Sequence, residues 1–107
     1  MTNWAGEGVF FIGKLQVRFF GGLRDVTNEA ACQLPISIKG ESIRSVLERL
    51  GDKYGQEFRD KIWVKNDINW RIKMMVNEKG VTKQELEIHL RDGDELTLFF
   101  LVAAMGG

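Results

Sequence analysis

One amphipathic helix signal stands among segments that alternate like strands, and this imbalance limits the possible folds more than any other feature. Ser42 can cap a helix in which Ile43, Val46, Leu47, Leu50 and Tyr54 recur at i, i+3, i+4, i+7 and i+11, on one face. Arg44, Glu48, Arg49 and Lys53 fall on the other side, and Gly55 stands just past the end. Gly51 within the pattern weakens it by roughly 1 kcal/mol relative to Ala. Gln56 to Trp63 adds a short helical turn, with Phe58 and Ile62 inward. A single main helix cannot cover two sheet faces, so the economical architecture is one mixed sheet packed on that helix.

The strands can be read from period-two alternation. Leu15, Val17 and Phe19 alternate with Gln16 and Arg18 until Gly21-Gly22 breaks the run. Cys32, Leu34 and Ile36 form the return strand of a hairpin, and Pro35 confines it to an edge or an early end. Residues 64–70 read as loop. Ile72, Met74 and Val76 mark a third strand, followed by turn chemistry at Asn77-Glu78-Lys79-Gly80. Leu86, Ile88 and Leu90 suggest a brief strand, and Arg91-Asp92-Gly93-Asp94 a second turn. Glu95 to Val102 is apolar on both faces, which suits a central, covered strand. First and last strands side by side, with the helix crossing over between them, give an α+β fold of β-grasp (ubiquitin-like) topology. Residues 1–13 read as a flexible N-terminal extension, 14–102 as the β-grasp domain and 103–107 as a flexible C-terminal tail.

Composition narrows the function. A chain of 107 residues suits one domain. Fifteen Lys plus Arg balance fifteen Asp plus Glu, which argues against nucleic acid or an anionic membrane as partner. Cys32 is the one cysteine, and no Cys/His cluster has metal-ligand spacing, so no metal site is expected and the composition points to a reducing, cytoplasmic setting. The longest apolar run, Leu98 to Met105, is eight residues, well short of the roughly 20 that cross a bilayer. The first residues lack the basic start and apolar stretch of a secretory signal.

The C-terminal stretch carries the functional signal. After Glu95 no charged side chain appears, and the residues shrink through Ala103, Ala104 and Met105 to Gly106-Gly107. Two readings stay open on the residues alone: a frayed end, or a tail without bulky side chains that threads a narrow channel and presents the Gly107 carboxylate to a partner. On the second reading a partner supplies ATP and Mg²⁺, and adenylation makes that carboxylate reactive toward sulfur or amines. Phe99, Leu101 and Val102 would form an apolar docking face at the root of the tail, with Arg18, Arg71 or Lys73 in its rim. Met105 is a candidate partner contact. His89 and Cys32 read as surface or edge residues, and Gly21-Gly22 as a turn, since no phosphate-loop pattern follows. No acid/base or nucleophile constellation is visible, so a stand-alone enzyme is not expected.

Several segments resemble the MoaD/ThiS family of ubiquitin-like sulfur carriers and the related archaeal small modifiers. They are Phe20-Gly21-Gly22-Leu23-Arg24-Asp25, the helix Ser42 to Tyr54, Met75-Val76-Asn77, and Leu90-Arg91-Asp92-Gly93-Asp94-Glu95-Leu96 running into Phe99-Phe100 and Gly106-Gly107. The resemblance spans nearly all of residues 14–107. It departs where Leu101-Val102-Ala103-Ala104-Met105 replaces the family's proline-containing tail. What it implies is a carrier, not an enzyme, that binds no cofactor of its own. An E1-like adenylating enzyme using ATP and Mg²⁺ would activate Gly107, and a sulfur donor would convert the adenylate to a thiocarboxylate. The sulfur would then pass to a molybdopterin synthase large subunit or another sulfur acceptor. In the modifier branch the same carboxylate is joined to target-protein lysines.

Overall fold

A computed structural model describes residues 13–101. The chain enters the sheet on β1 (Gly13–Gly21), makes a short helix α1 (Leu23–Thr27), and returns antiparallel on β2 (Ala31–Ile36). A two-residue strand, β3 (Glu41–Ser42), leads into α2 (Ile43–Tyr54), and α3 (Gln56–Ile62) follows after Gly55. A small hairpin of β4 (Trp63–Val64) and β5 (Asp67–Ile68) comes next, then β6 (Ile72–Val76) and β7 (Lys79–Val81). A 3₁₀ turn at Lys83–Glu85 precedes β8 (His89–Leu90), which pairs with β3, and β9 (Glu95–Phe100) comes last.

The main sheet has five strands in the order β2-β1-β9-β6-β7. β9 lies parallel to β1, with Val17 opposite Leu96 and Phe19 opposite Leu98, and antiparallel to β6. The α+β β-grasp topology is therefore the one the sequence predicts. β2 is an edge strand, where Pro35 removes no hydrogen bond the sheet interior needs.

Local chemistry accounts for the main helix. The Ser42 hydroxyl accepts the Ser45 N–H at 3.1 Å, an N-cap bond, and Gly55 ends the helix at φ +100°. Ile43, Val46, Leu47 and Leu50 are fully buried against Leu15, Val17, Phe19, Leu96 and Leu98 from the strands. Each such side chain contributes about 1.5–3 kcal/mol relative to exposure. Phe19 meets Tyr54 and Phe58 edge-on at centroid distances of 5.5 and 6.2 Å, tying α2 and α3 to the sheet. Gly51 has a packing role: a Cβ there would lie 2.9 Å from Cγ of Arg59, whose guanidinium reaches Asp52 at 2.6 Å. The propensity cost at this position is the condition for α2 and α3 to meet closely.

Besides α1, which no periodicity announces, and β9, which ends at Phe100 short of the expected Val102, three segments differ from the sequence reading. Residues 64–70 are not simply loop, because Lys65 and Asn66, at φ +54° and +68°, make the two-residue turn of the β4–β5 hairpin. The turn at Asn77 is shorter than expected, so Lys79 and Gly80 already pair within β7. In the brief strand around Leu86 to Leu90, only His89 and Leu90 pair. The Ile43 and Arg44 N–H groups take up the Ile88 and Leu86 carbonyls at 3.0 and 2.9 Å, so Leu86 is buried while Ile88 is exposed.

Candidate functional site

β9 sends alternate side chains to opposite faces. Leu96 and Leu98 are fully buried under the helices, whereas Thr97 and Phe99 point to the other face, where Thr97 is still buried at 7% exposure and Phe99 is half-buried. Phe99 stacks on Phe20 of the neighbouring strand, with centroids 4.9 Å apart and planes 19° from parallel. Lys73 sits opposite Phe99 on β6, and Arg18 sits opposite Thr97 on β1, where it pairs with Glu95 at 3.3 Å. Beyond the strand, Leu101 is 41% exposed, and its N–H donates to the Arg71 carbonyl at 2.9 Å. The structure thus places Phe99, Lys73 and Arg18 on one face of the sheet, with Leu101 and Arg71 at the exit of β9 and Arg18 drawn toward Glu95 at its entrance. Val102, Ala103, Ala104, Met105, Gly106 and Gly107 lie outside the described residues, as do residues 1–12.

Phe20 belongs to this patch, whereas the sequence reading names it only as the first residue of the Phe20-Gly21-Gly22-Leu23-Arg24-Asp25 segment. Its signal was there: in an alternating strand only one member of Phe19-Phe20 can face the core.

Both ends of β9 are fixed. At its exit Gly21 adopts φ +67°, and a Cβ there would collide with the Phe100 carbonyl oxygen. A Cβ on Gly22 would lie 3.1 Å from the Phe100 ring, over which the Lys61 ammonium sits at 4.8 Å. The Gly21-Gly22 turn therefore also determines the path by which the chain leaves the sheet. At the entrance Gly93 takes φ +88°. There the Asp94 carboxylate accepts the Arg91 N–H at 2.8 Å, and Asp92 accepts that of Lys14 at 2.8 Å. The Asn77 amide bridges the two turns, donating to Asp94 at 3.2 Å and accepting the Glu95 N–H at 3.0 Å. This polar network sets the register of β9 against β1 and β6.

The other reactive side chains lie elsewhere. Burial pushes the Cys32 thiol above its ordinary pKa, so the protonated form that neither attacks nor ligates is favoured. Burial, together with the neighbouring Cys32 and Glu29, likewise raises Tyr54, whose hydroxyl donates to Glu29 at 3.0 Å. His89 is exposed on β8. An open groove lined by Val76, Val81, Glu85 and Ile88 lies at the β9 entrance, the end opposite Leu101. No group of three or more His, Cys, Asp or Glu that could hold a metal occurs among the described residues, and no described helix is long and apolar enough to cross a membrane.

The apolar face, the glycine turn at the strand's exit and the Asp-Gly-Asp turn at its entrance coincide with a family-level match: the ThiS family model fits residues 17–107. The chain belongs to the ThiS family. Solved structures with the ThiS-family fold superpose over most of the chain. Small archaeal modifier protein 1 from Methanosarcina acetivorans is 25% identical, covering 87% of this chain and 97% of its own, with a TM-score of 0.72. A Pyrococcus furiosus protein proposed to be molybdopterin converting factor subunit 1 is 18% identical, covering 84% and 99%, with a TM-score of 0.68. A chain in the BexX/CysO complex of Amycolatopsis orientalis is 22% identical, covering 85% and 99%, with a TM-score of 0.66. No curated protein matches the sequence. This ThiS-family chain thus shares the ubiquitin-like β-grasp fold of these small proteins.

Proposed function

We propose that this protein is a sulfur carrier of the MoaD type whose reacting group is the Gly107 carboxylate. The observation that carries the reading is the course of β9, which runs beside the half-buried Phe20–Phe99 stack and leads, past a glycine-lined exit, toward Gly106-Gly107. A partner that grips Phe99, Leu101 and Val102 would be placed to take Ala103, Ala104, Met105 and Gly106 into a channel and hold Gly107 at its far end. The chain supplies no acid, base or cofactor to the reaction, so its contribution is position. An E1-like adenylating enzyme supplies ATP and Mg²⁺. A Gly107 carboxylate oxygen attacks the α-phosphorus, pyrophosphate leaves, and an acyl-adenylate remains. A sulfide equivalent then attacks the carbonyl carbon and AMP leaves, which gives the thiocarboxylate. Its sulfur passes to the acceptor, on this reading the large subunit of molybdopterin synthase acting in molybdenum or tungsten cofactor synthesis.

The likeness to an archaeal small modifier favours a second outcome from the same adenylate. There a lysine amine of a target protein attacks the Gly107 carbonyl, AMP leaves and an isopeptide bond forms. The two fates share the first step and can coexist in one protein.

That first step can be measured by pyrophosphate exchange. With the purified cognate adenylating enzyme, labelled pyrophosphate should enter ATP only when this chain is present. Exchange should vanish when Gly107 is deleted, while the unfolding midpoint stays unchanged. Exchange that persists without Gly107 would refute the assignment of the reacting group. Gly-Gly remnants on lysines of other proteins, sought by mass spectrometry of cell extract, would then distinguish conjugation from sulfur transfer.

A further inference from the structure

Trp70 is 74% exposed, the most exposed large apolar side chain among the described residues, yet it does not hang on a loose loop. The adjacent Asn69 pins its turn from both sides. Its N–H and side-chain amide donate to the Ile62 and Lys61 carbonyls at 2.8 and 3.0 Å, and its own oxygens accept the Arg71 and Ile72 N–H groups at 3.0 and 2.9 Å. The hairpin before it is anchored by buried Ile68, by Arg44 over the Trp63 ring at 5.9 Å, and by Lys83 on Asp67 at 3.3 Å. A fixed scaffold that holds an indole in water has the form of an interaction anchor, since Trp and Arg dominate such sites. The Arg71 guanidinium lies 5.1 Å from the Trp70 ring.

The position of this pair limits what can cover it. The Arg71 carbonyl holds the Leu101 N–H, so Arg71 and the adjoining Trp70 lie beside the last described residue, from which residues 102–107 continue. The charge there is one-sided. Among the described residues Arg71 and Lys73 form no ion pair, although the whole chain is neutral. A partner seated here needs an apolar pocket edged by carboxylates.

We infer that Trp70 and Arg71 form a second docking anchor, beside the tail, for the adenylating enzyme, which meets them with an acidic, apolar-floored rim at the mouth of its channel. The inference rests on the proposed activation of Gly107. The adenylating enzyme is the chosen occupant because sulfur transfer and lysine conjugation both require it, whereas their acceptors differ.

The test is pyrophosphate exchange with the purified cognate adenylating enzyme, titrating the chain. Trp70→Ala and Arg71→Glu should each raise the KM for the chain about tenfold or more and leave kcat at saturation near wild type. Added salt should shrink the Arg71→Glu effect. Ile38→Ala removes another exposed side chain, beyond β2 and away from the tail, and should change neither constant. Wild-type exchange with an unaltered KM in Trp70→Ala would overturn the inference and leave the Gly107 reading standing; no exchange from the wild type would sink both. A concentration-dependent dimer in sedimentation that Trp70→Ala abolishes would assign the indole to a second copy of this chain, and would also overturn it.

Discussion

The two faces of β9 are built from similar residues and meet different fates. Leu96 and Leu98 point inward to α2 and α3 and are fully buried, whereas Phe99, one position along, points outward and is only partly covered by Phe20. One strand therefore divides its apolar side chains between holding the fold and offering a surface, and strand periodicity makes the division strict. A doubly apolar run normally marks a strand covered on both sides. Here it marks a central strand with one face packed on the helices and the other carrying the Phe20–Phe99 stack.

Substitutions on the two faces should separate these jobs. Leu98→Ala removes a fully buried side chain opposite both Phe19 and Met74, and should cost about 2–5 kcal/mol in urea unfolding. Phe99→Ala should cost only about 1 kcal/mol, the order of one aromatic stack, while raising the KM for the chain in pyrophosphate exchange severalfold. A Phe99→Ala loss as large as that of Leu98→Ala would erase the distinction between the faces. The smallest effect should come from the β4–β5 hairpin. The Asp67 carboxylate sits below its ordinary value because it accepts the Ile68 N–H and faces Lys83. A depressed carboxylate stabilises the folded state above its unfolded pKa, and this contribution is lost as pH falls through the folded one. Asp67→Asn should therefore lower the melting temperature slightly at neutral pH and flatten its decline below about pH 4. Identical melting profiles from pH 7 to pH 3 would show that the hairpin does not depend on this bond.

The sheet and its main helix were legible because their signals are repetitive. Ile43 to Leu50 recur at helical spacing, Leu15 to Phe19 alternate, and the cap at Ser42 and the stop at Gly55 lie where the hydrogen bonds need them. The β4–β5 hairpin was illegible for a local reason. Its turn places Lys65 and Asn66 at positive φ, a conformation that sequence patterns associate with Asn-Gly, and its strands are too short to alternate. Trp70 was hidden with it, because a lone indole in a polar stretch carries no periodicity. The outer half of the docking face was half legible: Phe99 stood out in the final apolar run, whereas its partner Phe20 was masked by the Phe19 beside it.

That a domain held rigid by β9 presents its final carboxylate for sulfur loading can be weighed directly. Incubated with its cognate adenylating enzyme, ATP and a sulfide source, the intact protein should gain the mass difference between one sulfur and one oxygen, localised by fragmentation to Gly107. An unchanged mass, with pyrophosphate exchange proceeding normally, would contradict the sulfur-carrier account and leave only conjugation through the same adenylate.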